Sequence, residues 1–94
     1  MMNHELDLVV TVSESALFQQ VAGEAIILNM QTEHYFGLNG VATRAWQLIQ
    51  EHGNLSAVFE TLGHEYDVAP TKLTQDLLRL VQDLQEAGLV TIET

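Results

Sequence analysis

Four histidines, His4, His34, His52 and His64, with carboxylates such as Glu33 and Glu65 nearby in sequence, are the residues of this chain best suited to moving protons or holding a metal. A helical metal pair needs two ligands one turn apart, at i and i+4, so that both project from one face. None of the four histidines has that spacing, and none is accompanied by a second ligand set. Cysteine is absent, which removes thiolate zinc sites, disulfides and cysteine nucleophiles together. No serine stands in a nucleophile elbow, and no glycine-rich loop precedes a helix as a phosphate cradle requires. Ser56, between Leu55 and Ala57, invites comparison with the prosthetic serine of a carrier protein. It is better read as a helix cap, because carrier proteins are helical throughout while the first third of this chain is β-like. The chain is therefore expected to be non-enzymatic, with no metal and no cofactor.

Charge narrows the partners further. Thirteen acidic residues stand against three basic ones, Arg44, Lys72 and Arg79, for a formal net charge of -10. Such a surface repels phosphate backbones and anionic lipids, and too few bases are present to neutralise several phosphates. The N-terminus has no basic region followed by an apolar run, and no apolar segment approaches the roughly 20 residues needed to span a bilayer. A cytoplasmic protein that binds neither nucleic acid nor membrane is the expectation. Apolar residues make up 47% of the 94, enough for one core and one domain. Residues 1–7 are expected to be a flexible polar start, and residues 8–94 the folded unit.

Around this core the pattern calls for strands first and helices after. Leu8 to Val12 and Leu17 to Val21 are β-rich but interrupted by Ser13, Glu14 and Ser15, which predicts a bent or broken first strand. Ala25 to Met30 reads as the central strand, with Ile26, Leu28 and Met30 on one face and Ala25, Ile27 and Asn29 on the other. His34 to Leu38 returns as a third strand at an edge. Asn39 is a good N-cap for a first helix ending near His52 and Gly53. A second helix is predicted from about Ser56 to Tyr66. Pro70 opens a third that runs to Ala87 and stops at Gly88. Leu89 to Glu93 is a short strand or an extended tail. The order predicts an α+β, winged helix-turn-helix-like domain: an N-terminal three-stranded antiparallel sheet followed by three helices.

The third helix divides unusually. Leu73, Leu77, Leu80, Val81 and Leu84 form its core stripe, and Lys72, Asp76, Arg79, Asp83 and Glu86 its solvated face. The flank beside Val81 carries Thr71, Thr74, Leu78, Gln82 and Gln85, all uncharged. Either Leu78 merely widens the core stripe, or this flank lines a groove. An edge strand beside a groove can accept an extended peptide by strand addition.

The hairpin-to-helix segment LNMQTEHYFGLNGVATRAWQLI, the HEYDVAP connection and the closing LLRLVQDLQEAGLV resemble the PqqD-like family, also called RiPP precursor peptide recognition elements. The resemblance spans roughly Val21 to Val90 and is most specific at Tyr35, Leu38, Asn39, Ala45, Trp46 and Gly88-Leu89. It implies a stand-alone peptide chaperone of natural-product biosynthesis, with no chemistry of its own. Such an element binds the leader of a ribosomally made precursor as an added strand and presents it to a radical SAM protein, a leader protease or a cyclase. Carried onto this chain, the peptide contacts are His34, Tyr35, Phe36, Gly37 and Leu38 by strand pairing, with Thr74, Leu78, Val81, Gln82 and Gln85 from the third helix. Pyrroloquinoline quinone pathway members carry a proline-glutamate pair around the third strand. This chain has Tyr35-Phe36-Gly37-Leu38-Asn39 there, which makes it more similar to the elements of lasso-peptide clusters. The competing expectation is an adaptor that binds a folded protein through the same sheet edge, and an open edge also allows a monomer to give way to edge-paired or strand-swapped dimers.

Overall fold

The computed structural model describes residues 4–22 and 24–93, apart from the His4 side chain. A 3-10 turn at His4–Leu6 precedes β1 (Val9–Val12), β2 (Ala16–Val21), β3 (Glu24–Asn29) and β4 (His34–Leu38). Three helices follow, α1 (Gly40–His52), α2 (Leu55–Glu65) and α3 (Pro70–Glu86), and β5 (Val90–Glu93) closes the chain. The fold is α+β, with the antiparallel sheet β2-β3-β4 ahead of the helices and β3 in its centre.

The expected broken first strand is in fact two strands in two sheets. β1 pairs with β5 as a separate antiparallel ribbon, Val10 opposite Ile92, so the C-terminal stretch is a strand and not a tail. The cause is local. Ser13 N-H donates to Leu89 O at 2.9 Å, and Ala16 N-H then donates back to Ser13 O at 3.1 Å. This turn points the chain away from the ribbon and into the second sheet. The start of the chain is also more firmly held than its polarity suggests. Residues 1–3 lie outside the described part, but Leu6 is buried in the core, and its carbonyl accepts the Ser56 hydroxyl at 3.1 Å.

Period-two alternation sets the inner face of the sheet. Ala25, Ile27 and Asn29 of β3 are buried, and their register partners Leu38, Phe36 and His34 share that side of β4. α1 packs on this face, with α2 against α1 and α3 against α2 and β5. Trp46 is fully buried in this core. Its Nε1 has no hydrogen-bond partner, so the ring contributes through packing area and carries a desolvation cost at its one polar atom.

Asparagines start two of the helices. Asn39 Oδ1 accepts Ala42 N-H at 2.8 Å, as predicted. Asn54 Oδ1 accepts Ser56 N-H at 2.9 Å, so the second cap is Asn54 and not Ser56, whose hydroxyl serves Leu6 instead. Pro70 takes the first position of α3, where its missing N-H costs nothing. α3 ends at Gly88, whose φ of 73° lies in the left-handed region.

Two polar contacts tie distant elements together. Asn29 is almost fully buried; its Nδ2 donates to Ala87 O at 2.8 Å, and its Oδ1 accepts Gln31 N-H at 3.0 Å and Thr32 N-H at 3.3 Å. One side chain thus shapes the β3–β4 turn and fastens it to the end of α3. Arg44 of α1 meets Glu65 of α2 through two 2.8 Å bonds, Nε to Oε1 and Nη2 to Oε2. The hydrogen bond from Arg44 holds the Glu65 carboxyl below its ordinary range.

Replacing Asn29 by Ala frees the Ala87 carbonyl and two turn amides and is expected to cost about 1–3 kcal/mol, read as a lower urea midpoint with an unchanged slope. An added Cβ at Gly88 would stand 2.9 Å from Asn29 Nδ2, so Gly88→Ala destabilises by about 1–2 kcal/mol from backbone handedness and by a further contact term. That contact term disappears in the Asn29→Ala background, and a double-mutant cycle isolates it. For Glu65 the lowered folded-state pKa means that its contribution is present above the ordinary carboxylate range and is lost as pH falls through the folded value. Glu65→Gln should therefore lower the denaturation midpoint at neutral pH and converge on wild type on acidification. The gap is small because both side chains are about one-third exposed.

Candidate functional site

β4 is an edge. It pairs with β3 on one side, and its other side meets no strand among the described residues. Its two ends are placed differently against α3. At the His34 end, the register partner Asn29 bonds the carbonyl of Ala87, just past α3. At the Leu38 end, the chain passes Asn39 into α1 and borders a cavity of about 510 Å³ whose far side is α3, from Lys72 to Asp83. The Leu38 end of the open edge therefore leads, through Asn39, to a cavity bordered by α3.

The cavity has an apolar floor and a charged rim. Val41, Ala42 and Ala45 of α1, Leu62 of α2, Val68 and the α3 residues Leu73, Leu77 and Leu80 make the floor, while Lys72, Asp76, Arg79 and Asp83 stand around it. Lys72 Nζ and Asp76 Oδ2 are 3.3 Å apart, an exposed one-turn pair that steers more than it stabilises. Such a hollow takes an apolar side chain, and the strand beside it offers backbone hydrogen bonds. The arrangement suits an extended peptide.

The expected strand residues fall together on this edge. Leu38 is buried and Phe36 half-buried on the inner side, whereas His34, Tyr35 and Gly37 are exposed. The expected α3 residues are distributed differently. Val81 and Thr74 are buried, with Thr74 Oγ1 donating to Pro70 O at 2.9 Å; Leu78 is half-buried, Gln82 and Gln85 are exposed. None of these five lines the cavity, which opens on the other flank of the helix. The residues that the sequence did not single out are Leu80, Asp76 and Asp83. Their signal was an apolar residue at the margin of the core stripe with charges one and four positions before it and three after.

Arg44 is engaged with Glu65, and His34, His52 and His64 are exposed. Among the described residues no group of three or more His, Asp or Glu is placed to hold a metal ion, and no helix is long and apolar enough to cross a membrane. A smaller hollow of about 370 Å³ lies between β1 and the end of α1. The neighbouring edge of β1 is bridged there by Val10 N-H to Gly53 O at 2.7 Å and Leu55 N-H to Leu8 O at 3.0 Å.

Two solved structures share this architecture. One, described as TbiB1 in complex with the TbiA(beta) leader peptide, is 26% identical, aligns over 85% of this chain and 93% of its own, and superposes with a TM-score of 0.79. The other, a lasso peptide synthetase B1 complexed with the leader peptide, is 23% identical over 87% of this chain and 96% of its own, also with a TM-score of 0.79. Its identity is low enough that it speaks for the fold alone. Among curated proteins none matches the chain significantly. The model of the family described as coenzyme PQQ synthesis protein D (PqqD) matches residues 24–90, well over half of the sequence, and the chain belongs to that family.

Proposed function

We propose that this chain is a non-catalytic recognition element that captures the leader of a ribosomally synthesised precursor peptide and presents it to a modifying enzyme. The observation that carries this reading is the open edge of β4, whose Leu38 end leads through Asn39 to an apolar cavity walled by α3. Backbone groups of His34, Tyr35, Phe36, Gly37 and Leu38 pair with the incoming strand, which holds any sequence of suitable length. Selectivity comes from the leader side chains that alternate inward, in phase with Phe36 and Leu38, and reach the cavity. Leu80, with Asp76 and Asp83 beside it, forms the helical wall. The solved relative at 26% identity, a leader-peptide complex by description, supports the same ligand class. The partner enzyme, whether a radical SAM protein, a leader protease or a cyclase, acts on the core that trails from the bound leader.

A precursor leader titrated into isotope-labelled protein is expected to shift the amide signals of His34 to Leu38 and of Leu73 to Asp83, and to leave Ala16 to Val21 in place. Unmoved β4 signals, or shifts confined to β2, would overturn the reading. Substitutions then locate the wall. Leu80→Ser should weaken leader binding by about tenfold or more, as loss of a buried anchor does, while Leu78→Ser and Gln82→Ala stay near wild type. A loss carried by Leu78 and Gln82 instead would place the peptide on the opposite flank of α3.

A further inference from the structure

The face of the β2-β3-β4 sheet turned away from α1 is apolar and open. Register stacks Leu17, Leu28 and Tyr35 in one row across it, and Gln19, Ile26 and Gly37 in the next. Leu17 is 39% exposed, Tyr35 69%, and Val21 beyond them 67%. Grouped on one face, they form a patch of the kind that marks an interaction surface, which single exposed apolar residues do not.

Gly37 supplies an independent sign. Its φ is not positive, and a Cβ there would meet nothing within 4 Å. Nothing in the chain itself calls for glycine in mid-strand, where it weakens the ladder and marks the close approach of another body.

Charge identifies the occupant. No Lys or Arg precedes Arg44; all three bases sit on α1 and α3, on the far side of the sheet. Glu14 in the β1–β2 turn, Glu24 at the start of β3 and Glu33 in the β3–β4 turn frame the patch. A second copy would bring the same glutamates face to face, and an anionic membrane would be repelled in the same way. We propose that this outer sheet face docks the folded enzyme that processes the bound leader, through an apolar surface rimmed with Lys and Arg on that enzyme. The proposal rests on leader addition at β4 for its consequence. A strand added there projects every second side chain onto the outer face, in line with Tyr35 and Gly37. The docked enzyme then touches carrier and leader at once, and binds the loaded carrier better than the empty one.

The test uses the full chain, a fluorescent leader peptide, and the purified enzyme that processes the cognate precursor. Leu17→Ser/Val21→Ser and Glu24→Lys lie off the leader edge. Both are expected to bind leader as wild type and to lose about tenfold or more in association with the enzyme. Wild-type association should weaken between about 50 mM and about 300 mM salt, and tighten when leader is added. Enzyme association unchanged in both variants, or absent for wild type with leader bound, overturns the proposal. Sedimentation showing a wild-type dimer that Leu17→Ser/Val21→Ser dissolves also overturns it, in favour of self-association. If leader fails to bind wild type while enzyme association still depends on Leu17 and Glu24, the strand-addition reading falls and the docking face stands.

Discussion

The side chain of Asn29 holds the β3–β4 hairpin and the end of α3 in relation to each other. The β3–β4 hairpin and α3 come from opposite ends of the chain, and packing through α1 and α2 joins them only indirectly. Asn29 adds a directional link: its amide reaches Ala87 O, while its carbonyl oxygen gathers Gln31 and Thr32. An amide side chain can donate outward and accept inward at once. The site admits nothing larger beside it, since Gly88 approaches so closely that a methyl there would collide. Gly88 therefore answers two demands together, the left-handed turn that ends α3 and the clearance for Asn29. Because Asn29 lies opposite His34, the link fixes the start of the strand whose far end opens on the cavity.

Much of this was legible in the sequence, for physical reasons that can be named. Strand and helix periodicity located β3, β4 and the three helices, and Asn39, Pro70 and Gly88 marked boundaries because each has a backbone or side-chain property that few residues share. Contacts between remote segments were not legible. Ser13 announces a break in β structure, but only its bond with Leu89, far along the chain, assigns β1 and β2 to different sheets. Ser56 and Asn54 are both capping types, and the choice between them depended on Leu6, whose carbonyl takes the serine hydroxyl. Position 29 reads as one more polar residue at a strand end until Ala87 is placed beside it.

The helical wall illustrates the same limit more sharply. A helical wheel fixes which residues of α3 are buried together, but says nothing about which margin of that stripe lies against the sheet edge. Charge separates the two margins without saying which of them a peptide meets. The uncharged margin contains Thr74, which satisfies its hydroxyl on Pro70 O within the helix and so can be buried cheaply. The cavity margin is ringed by Lys72, Asp76, Arg79 and Asp83, long or acidic side chains that keep their heads in water while Leu80 lies between them. A groove for a peptide needs such a rim, because its floor must stay soluble when empty.

The open edge of β4 carries a liability of its own. Unpaired edges invite pairing with whatever strand arrives, including the same edge of another copy. Under the proposed strand addition, the leader supplies the missing neighbour at the usual spacing of about 4.8 Å, and the acidic surface adds repulsion against another copy. β2 also has an edge that meets no strand among the described residues, and the acidic repulsion is common to both. The proposed strand addition distinguishes two otherwise similar edges of one small sheet by the cavity, which the Leu38 end of β4 approaches through Asn39, which α3 walls, and which no residue of β2 lines.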